Sequence, residues 1–145
     1  MSYTYEYPRP ALTADAVVVA RSGEVPSVLL VQRARPPYEG MWALPGGFVD
    51  MDEDVDEAVK RELKEETGLE LDGFEQLHVF GKVNRDPRHR TVTVAYYCLV
   101  EEPKPVTGMD DAADALWFRL DCLPPLAFDH AEIIGLAVQK LRLLP

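Results

Sequence analysis

The chain has 145 residues, of which 47% are hydrophobic, and a formal net charge of −10 at pH 7. That length supports one good core and leaves no room for a second, so residues 1–145 are expected to form a single domain. The acidic balance argues against a nucleic-acid polymer as partner, since that needs a continuous basic track. No stretch approaches the roughly 18 apolar residues of a membrane span, and no basic segment followed by an apolar run opens the chain. A cytoplasmic protein without a membrane partner is expected.

In chain order, Ala14 to Arg21 is an apolar, β-rich run and Ser27 to Arg33 a second, with Gly23 to Pro26 as punctuation. These two strands are expected to be neighbours in one sheet. Pro36, Pro37 and Gly40 mark a loop, and Met41 to Leu44 is a short extended piece. Pro45, Gly46 and Gly47 form a further loop in which backbone can approach a metal or phosphate closely. A helix follows and stops at Gly68, whose left-handed conformation ends it. Asp50, Asp52, Glu53 and Asp54 crowd its entrance, where carboxylates are expected to cap free N–H groups and meet the positive end of the helix dipole. Beyond it, Gln76 to Val83 reads as a strand, residues 82 to 90 carry a basic loop, and Thr91 to Val100 alternates as a strand. Glu101 to Ala113 is a long polar loop, Ala115 to Arg119 a brief strand with Trp117, and Leu120 to Leu126 a proline-broken connection. Ala131 to Leu143 closes as an amphipathic helix with Ile134, Val138 and Leu141 at helical spacing. Helices interleaved with a mixed sheet bury themselves against its faces, which gives an α/β fold of α/β/α sandwich type. Cys98 and Cys122 match neither a zinc spacing nor a disulfide framework and are expected to be reduced.

The helix before Gly68 carries the chemistry. Val55, Val59 and Leu63 form one apolar stripe, and Glu66 falls inside it with Glu62 and Glu65 on its border. A solvated charged face accounts for Asp56, Glu57, Lys60, Arg61 and Lys64 on the other side, but not for Glu66. A carboxylate among core-facing valines is costly unless paired, and three converging glutamates repel unless cations sit between them. Hard divalent cations meet both demands, and Mg²⁺ (or Mn²⁺) suits a phosphate substrate. The charge is segregated accordingly. Residues 50 to 72 hold eleven acids against Lys60, Arg61 and Lys64, whereas residues 82 to 90 hold Lys82, Arg85, Arg88 and Arg90 against Asp86. An acidic, metal-charged helix and a basic loop can grip one polyphosphate between them.

Gly47, five residues, Glu53, seven residues, then Arg61-Glu62-Leu63-Lys64-Glu65-Glu66-Thr67-Gly68-Leu69 resembles the Nudix box at every fixed position. Tyr7 to Ala11, Trp42 to Val49, Asn84 to Arg88 and Phe128-Asp129-His130 extend the resemblance to the ADP-ribose pyrophosphatase-like branch, over nearly the whole chain. The resemblance implies the Nudix-type sandwich with a mixed β-sheet. It also implies Mg²⁺-dependent cleavage of a nucleoside diphosphate linked to another group, foremost ADP-ribose to AMP and ribose 5-phosphate. A pyrophosphohydrolase of nucleoside triphosphates such as oxidised dGTP and a non-catalytic ADP-ribose sensor are the alternatives. The complete set of box glutamates, and a chain ending at Pro145 without a DNA-binding module, weigh against the sensor.

Residue by residue, the resemblance makes Glu62, Glu65 and Glu66 metal ligands together with the carbonyl of Gly46. It gives Arg61 the task of orienting Glu53 or a ligand glutamate. Catalytic weight is expected on Glu66, Glu62, Arg61 and Glu53. The base stays open between a box glutamate and Asp110, Asp111, Asp114, Asp129 or Glu132. Arg33, Arg85, Arg88 and Arg90 suit bidentate contacts to phosphate. Trp117, or one of Tyr96 and Tyr97, could stack on a base. Tyr3, Tyr5 and Tyr7 alternate as an extended segment laid against a partner would, so a homodimer is a candidate assembly.

Overall fold

A computed structural model describes residues 2–145. Among them the chain runs β1 (Ala11–Ala20), β2 (Ser27–Arg33), β3 (Trp42–Ala43), β4 (Gly46–Phe48), α1 (Val55–Thr67), β5 (Glu75–Phe80), β6 (Thr91–Val100), β7 (Ala112–Arg119) and α2 (His130–Leu141). One mixed sheet has the order β3-β2-β1-β6-β5, with β4 also on β1 and β7 also on β2. β1 and β6 are parallel from Ala11↔Thr91 to Ala20↔Val100, and the other pairings are antiparallel.

β1 is buried on both faces, and its alternation divides the core. Val17 and Val19 face one cluster with Ile133, Ile134 and Ala137 of α2. Ala14, Ala16 and Val18 face the other, with Ala58, Val59 and Leu63 of α1. Period-2 alternation on a central strand thus seats one helix on each face, the three-layer sandwich. α1 buries Ala58, Val59, Leu63, Glu66 and Thr67, so the apolar stripe does contain the glutamate that its spacing predicts. Gly68 ends the helix at φ 77, with its N–H on the Lys64 carbonyl.

Several boundaries differ from the sequence reading. β1 begins at Ala11, because β6 continues to pair with it there. The Gly46-Gly47 segment, read as loop, forms β4 by pairing Thr13, Ala14 and Asp15 with Phe48, Gly47 and Gly46. β7 starts at Ala112, drawn into register by Arg33 through an irregularity beside Gln32. The acidic entrance to α1 does not cap as expected: Asp54 is the N-cap residue but makes no side-chain cap bond. Glu53 instead accepts from the N–H of Asp50 at 3.1 Å and from Arg61. No helix of the described residues is long and apolar enough to cross a membrane.

Candidate active site

β1 and β2 pair only through Val19↔Val28 and Ala20↔Ser27, and then separate. The chain from Trp42 to Phe48 is wedged between them, β3 hydrogen-bonded to β2 and β4 to β1. A cavity of about 370 Å³ opens at this split, within the range of roughly 300–1,000 Å³ usual for small-molecule sites. α1, the β5–β6 loop and the start of α2 close its sides.

Glu66 forms the acidic wall. It is 8% exposed and accepts the Gly46 N–H at 2.8 Å. Burial pushes its carboxyl well above the usual range, against the pull of that N–H, and the neighbouring carboxylates of Glu62 and Asp15 push the same way. Glu62 is raised by burial too, opposed by Arg61. Close approach here depends on glycine. A Cβ on Gly47 would stand 2.6 Å from the Glu62 carboxyl, and one on Gly46 would run into Asp15 and the Ala14 carbonyl.

Arg61 organises the remaining acids. Its Nε and Nη2 donate to the Glu53 carboxylate at 2.6 and 3.0 Å, Nη1 to Glu62 at 2.8 Å and Glu65 at 3.1 Å, and Nη2 to the Phe48 carbonyl at 3.0 Å. The hydrogen bond from Arg61 holds Glu53 below the ordinary carboxylate range. The sequence reading placed cations between three converging glutamates. In the structure the positive group between Glu62 and Glu65 is this guanidinium. Among the described residues, no group of three or more His, Cys, Asp or Glu side chains is arranged to hold a metal ion. The chemistry of the donor set nevertheless fits one. Glu66 and Glu62 are hard oxygen donors, both desolvated, and backbone without Cβ atoms lies between them.

The basic wall faces these acids. Arg33, Arg85 and Arg88 all line the cavity. The side chain of Arg85 is buried and holds Asp129 by two bonds, at 2.9 and 2.5 Å; burial would lower its pKa, but Asp129 outweighs that and raises it. Arg88 binds Asp86 through Nε at 3.1 Å and Nη2 at 2.8 Å. The Nε of Arg33 donates to the Pro37 carbonyl at 2.7 Å.

Of the two residues that form the floor, Asp15 and His130, the sequence reading did not single out Asp15. Asp15, on the central strand, accepts from Thr93 Oγ1 at 2.6 Å. His130 Nδ1 accepts the Leu44 N–H at 2.9 Å, which leaves any proton of a neutral ring on Nε2, 3.8 Å from Asp15 Oδ2. This histidine therefore braces the turn between β3 and β4. Burial holds it below its ordinary pKa, favouring the neutral ring that can accept. A single Asp inside the apolar run of β1 was the signal for this floor, because an uncompensated carboxylate there would be costly.

Other expected binders lie elsewhere. Arg90 is exposed and outside the cavity lining, its Nη1 3.5 Å from the Lys82 carbonyl. Trp117 also lies outside it, packing on the α1 side of the sheet and donating from Nε1 to the Lys104 carbonyl at 2.9 Å. Tyr96 and Tyr97 point to opposite faces, as adjacent strand residues must. Tyr96 is committed to Asp56 and Tyr97 to Glu75. Of the acids outside α1 considered as base, Asp129 is locked by Arg85, Asp114 accepts the Ala115 N–H, and Asp111 lines the cavity with Glu62 and Glu66.

The NUDIX domain family profile matches residues 9–136. An ADP-ribose pyrophosphatase of Methanocaldococcus jannaschii is 41% identical over 128 residues, 88% of this chain and 73% of that protein. The ADPR responsive transcriptional repressor NtrR of Acinetobacter baylyi is 33% identical over 141 residues, 94% of this chain but 56% of the repressor. The solved NUDIX domain of Shewanella oneidensis NrtR, complexed with ADP ribose, aligns with a TM-score of 0.87 at 36% identity, covering 93% of this chain and 90% of that one. With the box on α1 and the fold around it, the match over most of its length establishes that this chain belongs to the NUDIX domain family.

Proposed function

We propose that the chain hydrolyses the pyrophosphate bond of ADP-ribose, adding water to give AMP and ribose 5-phosphate, with Mg²⁺ or Mn²⁺ as cofactor. The observation that carries this reading is a buried glutamate facing a guanidinium wall across one cavity: Glu66 on one side, Arg33, Arg85 and Arg88 on the other. Similarity to the Methanocaldococcus ADP-ribose pyrophosphatase supports the substrate.

A divalent cation held by Glu62, Glu65 and Glu66 with the Gly46 carbonyl would neutralise the diphosphate and make water more acidic. Arg61 keeps Glu53 ionised and in place, and it also binds Glu62, which lines the cavity, and Glu65, which lies outside that lining. Arg33 and Arg88 receive phosphate oxygens as charge-assisted donors, and Arg85 holds Asp129 beside them. A carboxylate of the cavity, Glu66, Glu62 or Asp111, takes the proton from the attacking water.

A second reading, an ADP-ribose sensor that binds without cleavage, is favoured by the likeness to the Acinetobacter repressor. Incubation with ADP-ribose, NADH, diadenosine polyphosphates, sugar nucleotides and oxidised dGTP, each with Mg²⁺, separates the readings by their products. AMP and ribose 5-phosphate from ADP-ribose support the proposal; binding without product supports the sensor. The proposal extends to a homodimer, since Tyr3, Tyr5 and Tyr7 leave aromatic surface exposed near the first strand.

A further inference from the structure

Phe128 stands where the basic wall meets the cavity, and its backbone is unusual. Its φ is 52, in the left-handed region that large side chains rarely adopt. Such a conformation persists only where the surroundings hold it, and it concentrates at ligand clamps. The surroundings here are specific. The Tyr38 ring meets Phe128 edge-on at 4.9 Å and the His130 ring lies at 5.4 Å. Arg33 Cζ lies 5.0 Å from the Phe128 ring centroid and Arg88 Cζ 5.6 Å from it.

Two guanidiniums therefore converge on one ring. Like charges brought together in a half-buried cleft repel: burial and then the charge of Arg88 hold the Arg33 pKa below its ordinary value. Arg88 has Asp86 behind it, whereas the Nε of Arg33 is tied to a neutral carbonyl. The negative face of an aromatic ring attracts a cation without neutralising it, so the Phe128 ring restrains Arg33, and together with the Phe48 ring at 5.4 Å and Asp86 restrains Arg88, without itself cancelling either charge.

We propose that Phe128 is a positioning residue, whose ring holds the guanidiniums of Arg33 and Arg88 together as a ready clamp for the substrate's diphosphate. This rests on the reading above that the cavity takes a nucleoside diphosphate. It goes beyond that reading by assigning the pairing of the two arginines, before any cation binds, to a residue that need not touch the phosphates itself.

Substitution can separate the ring from the backbone. At φ 52, Phe128→Gly and Phe128→Asn both tolerate the left-handed conformation and remove the ring, while Phe128→Tyr keeps it. Calorimetric titration with ADP-ribose and with ADP in excess chelator, where no turnover occurs, reads the clamp alone. Wild type is expected to bind. Glycine and asparagine variants with unfolding temperatures at or above wild type should bind about tenfold more weakly, with tyrosine within about twofold of wild type. A folded glycine or asparagine variant that binds as wild type does, or a tyrosine variant as weak as glycine, would overturn the proposal. A wild-type chain that binds neither ligand in chelator overturns it as well. Hydrolysis of ADP-ribose by that same chain with Mg²⁺ would then show that the functional reading had survived the loss of the clamp.

Discussion

Glu66 concentrates the conflict between stability and function in one carboxyl. Its folded-state pKa is raised by burial, so the group is most favourable to folding when protonated, below the carboxylate range of the unfolded chain. That contribution is lost as pH rises through the folded value. At neutral pH an ionised Glu66 without a cation is a liability. Glu66→Gln keeps an acceptor for the Gly46 N–H and removes the charge. It should raise metal-free stability by roughly 1–2 kcal/mol in denaturant melts at pH 7 while lowering kcat by about 100-fold or more. Full turnover by this variant would remove the metal mechanism. His130 gives a separable pH signature. Its folded pKa is depressed by burial below the unfolded 6.5, so it contributes stability above about pH 6.5 that is lost as pH falls towards the folded value. His130→Gln retains an acceptor for the Leu44 N–H, and its stability curve should be flatter than wild type on that acid limb. Parallel curves would show that other groups set the limb.

β4 is the element on which the site turns, because it holds the backbone against Glu62, Glu66 and Asp15 at once. Its two glycines make different demands. A methyl on Gly46 would meet fixed backbone, including the Asp15 Cα at 2.9 Å, so Gly46→Ala should not give a stable fold. On Gly47 the obstacle is the carboxyl end of the flexible Glu62 side chain. Gly47→Ala should therefore fold with a loss of about 1 kcal/mol but lose roughly tenfold or more in kcat as Glu62 is displaced. Thermal melts and steady-state kinetics on the pair check this, and equal behaviour of the two variants would contradict it. The same element marks the limit of sequence reading. α1, β2, β6 and α2 were legible because apolar spacing and glycine or proline stops specify them locally. β4 was not, since Gly-Gly-Phe has no strand preference of its own and is extended only by pairing with β1. Among the acids of α1 and the arginines of the β5–β6 loop that charge segregation singled out, Glu62, Glu66, Arg85 and Arg88 line the cavity, whereas Glu65 and Arg90 do not. Trp117 falls outside the cavity lining, a placement that strand alternation does not fix because it does not say which face borders the cavity, and Asp15 was overlooked because its partners come from β6 and α2, far away in the sequence.

Across the whole molecule, the splitting of one sheet creates the site. β1 pairs with β2 at one end and with β4 at the other, so the cavity opens within the sheet while α1 and α2 cover its two faces. Assembly is a separate matter. Tyr3, Tyr5 and Tyr7 remain exposed, Arg9 lies 3.9 Å over the Tyr5 ring, and Tyr5 reaches Met51. Light scattering at micromolar concentration should give about twice the 16.3 kDa chain mass, and removal of residues 1 to 7 should lower it. A monomer mass with the tail intact would reject the dimer and leave the chemistry untouched. A cation-loaded acidic helix opposite a guanidinium wall is expected to cleave ADP-ribose, and phosphorus NMR of ADP-ribose with the protein reads that cleavage. With Mg²⁺ the diphosphate signals should give way to two monophosphate signals, those of AMP and ribose 5-phosphate, and chelator should stop the change. Diphosphate signals that persist with Mg²⁺ while ADP-ribose binds would contradict the account.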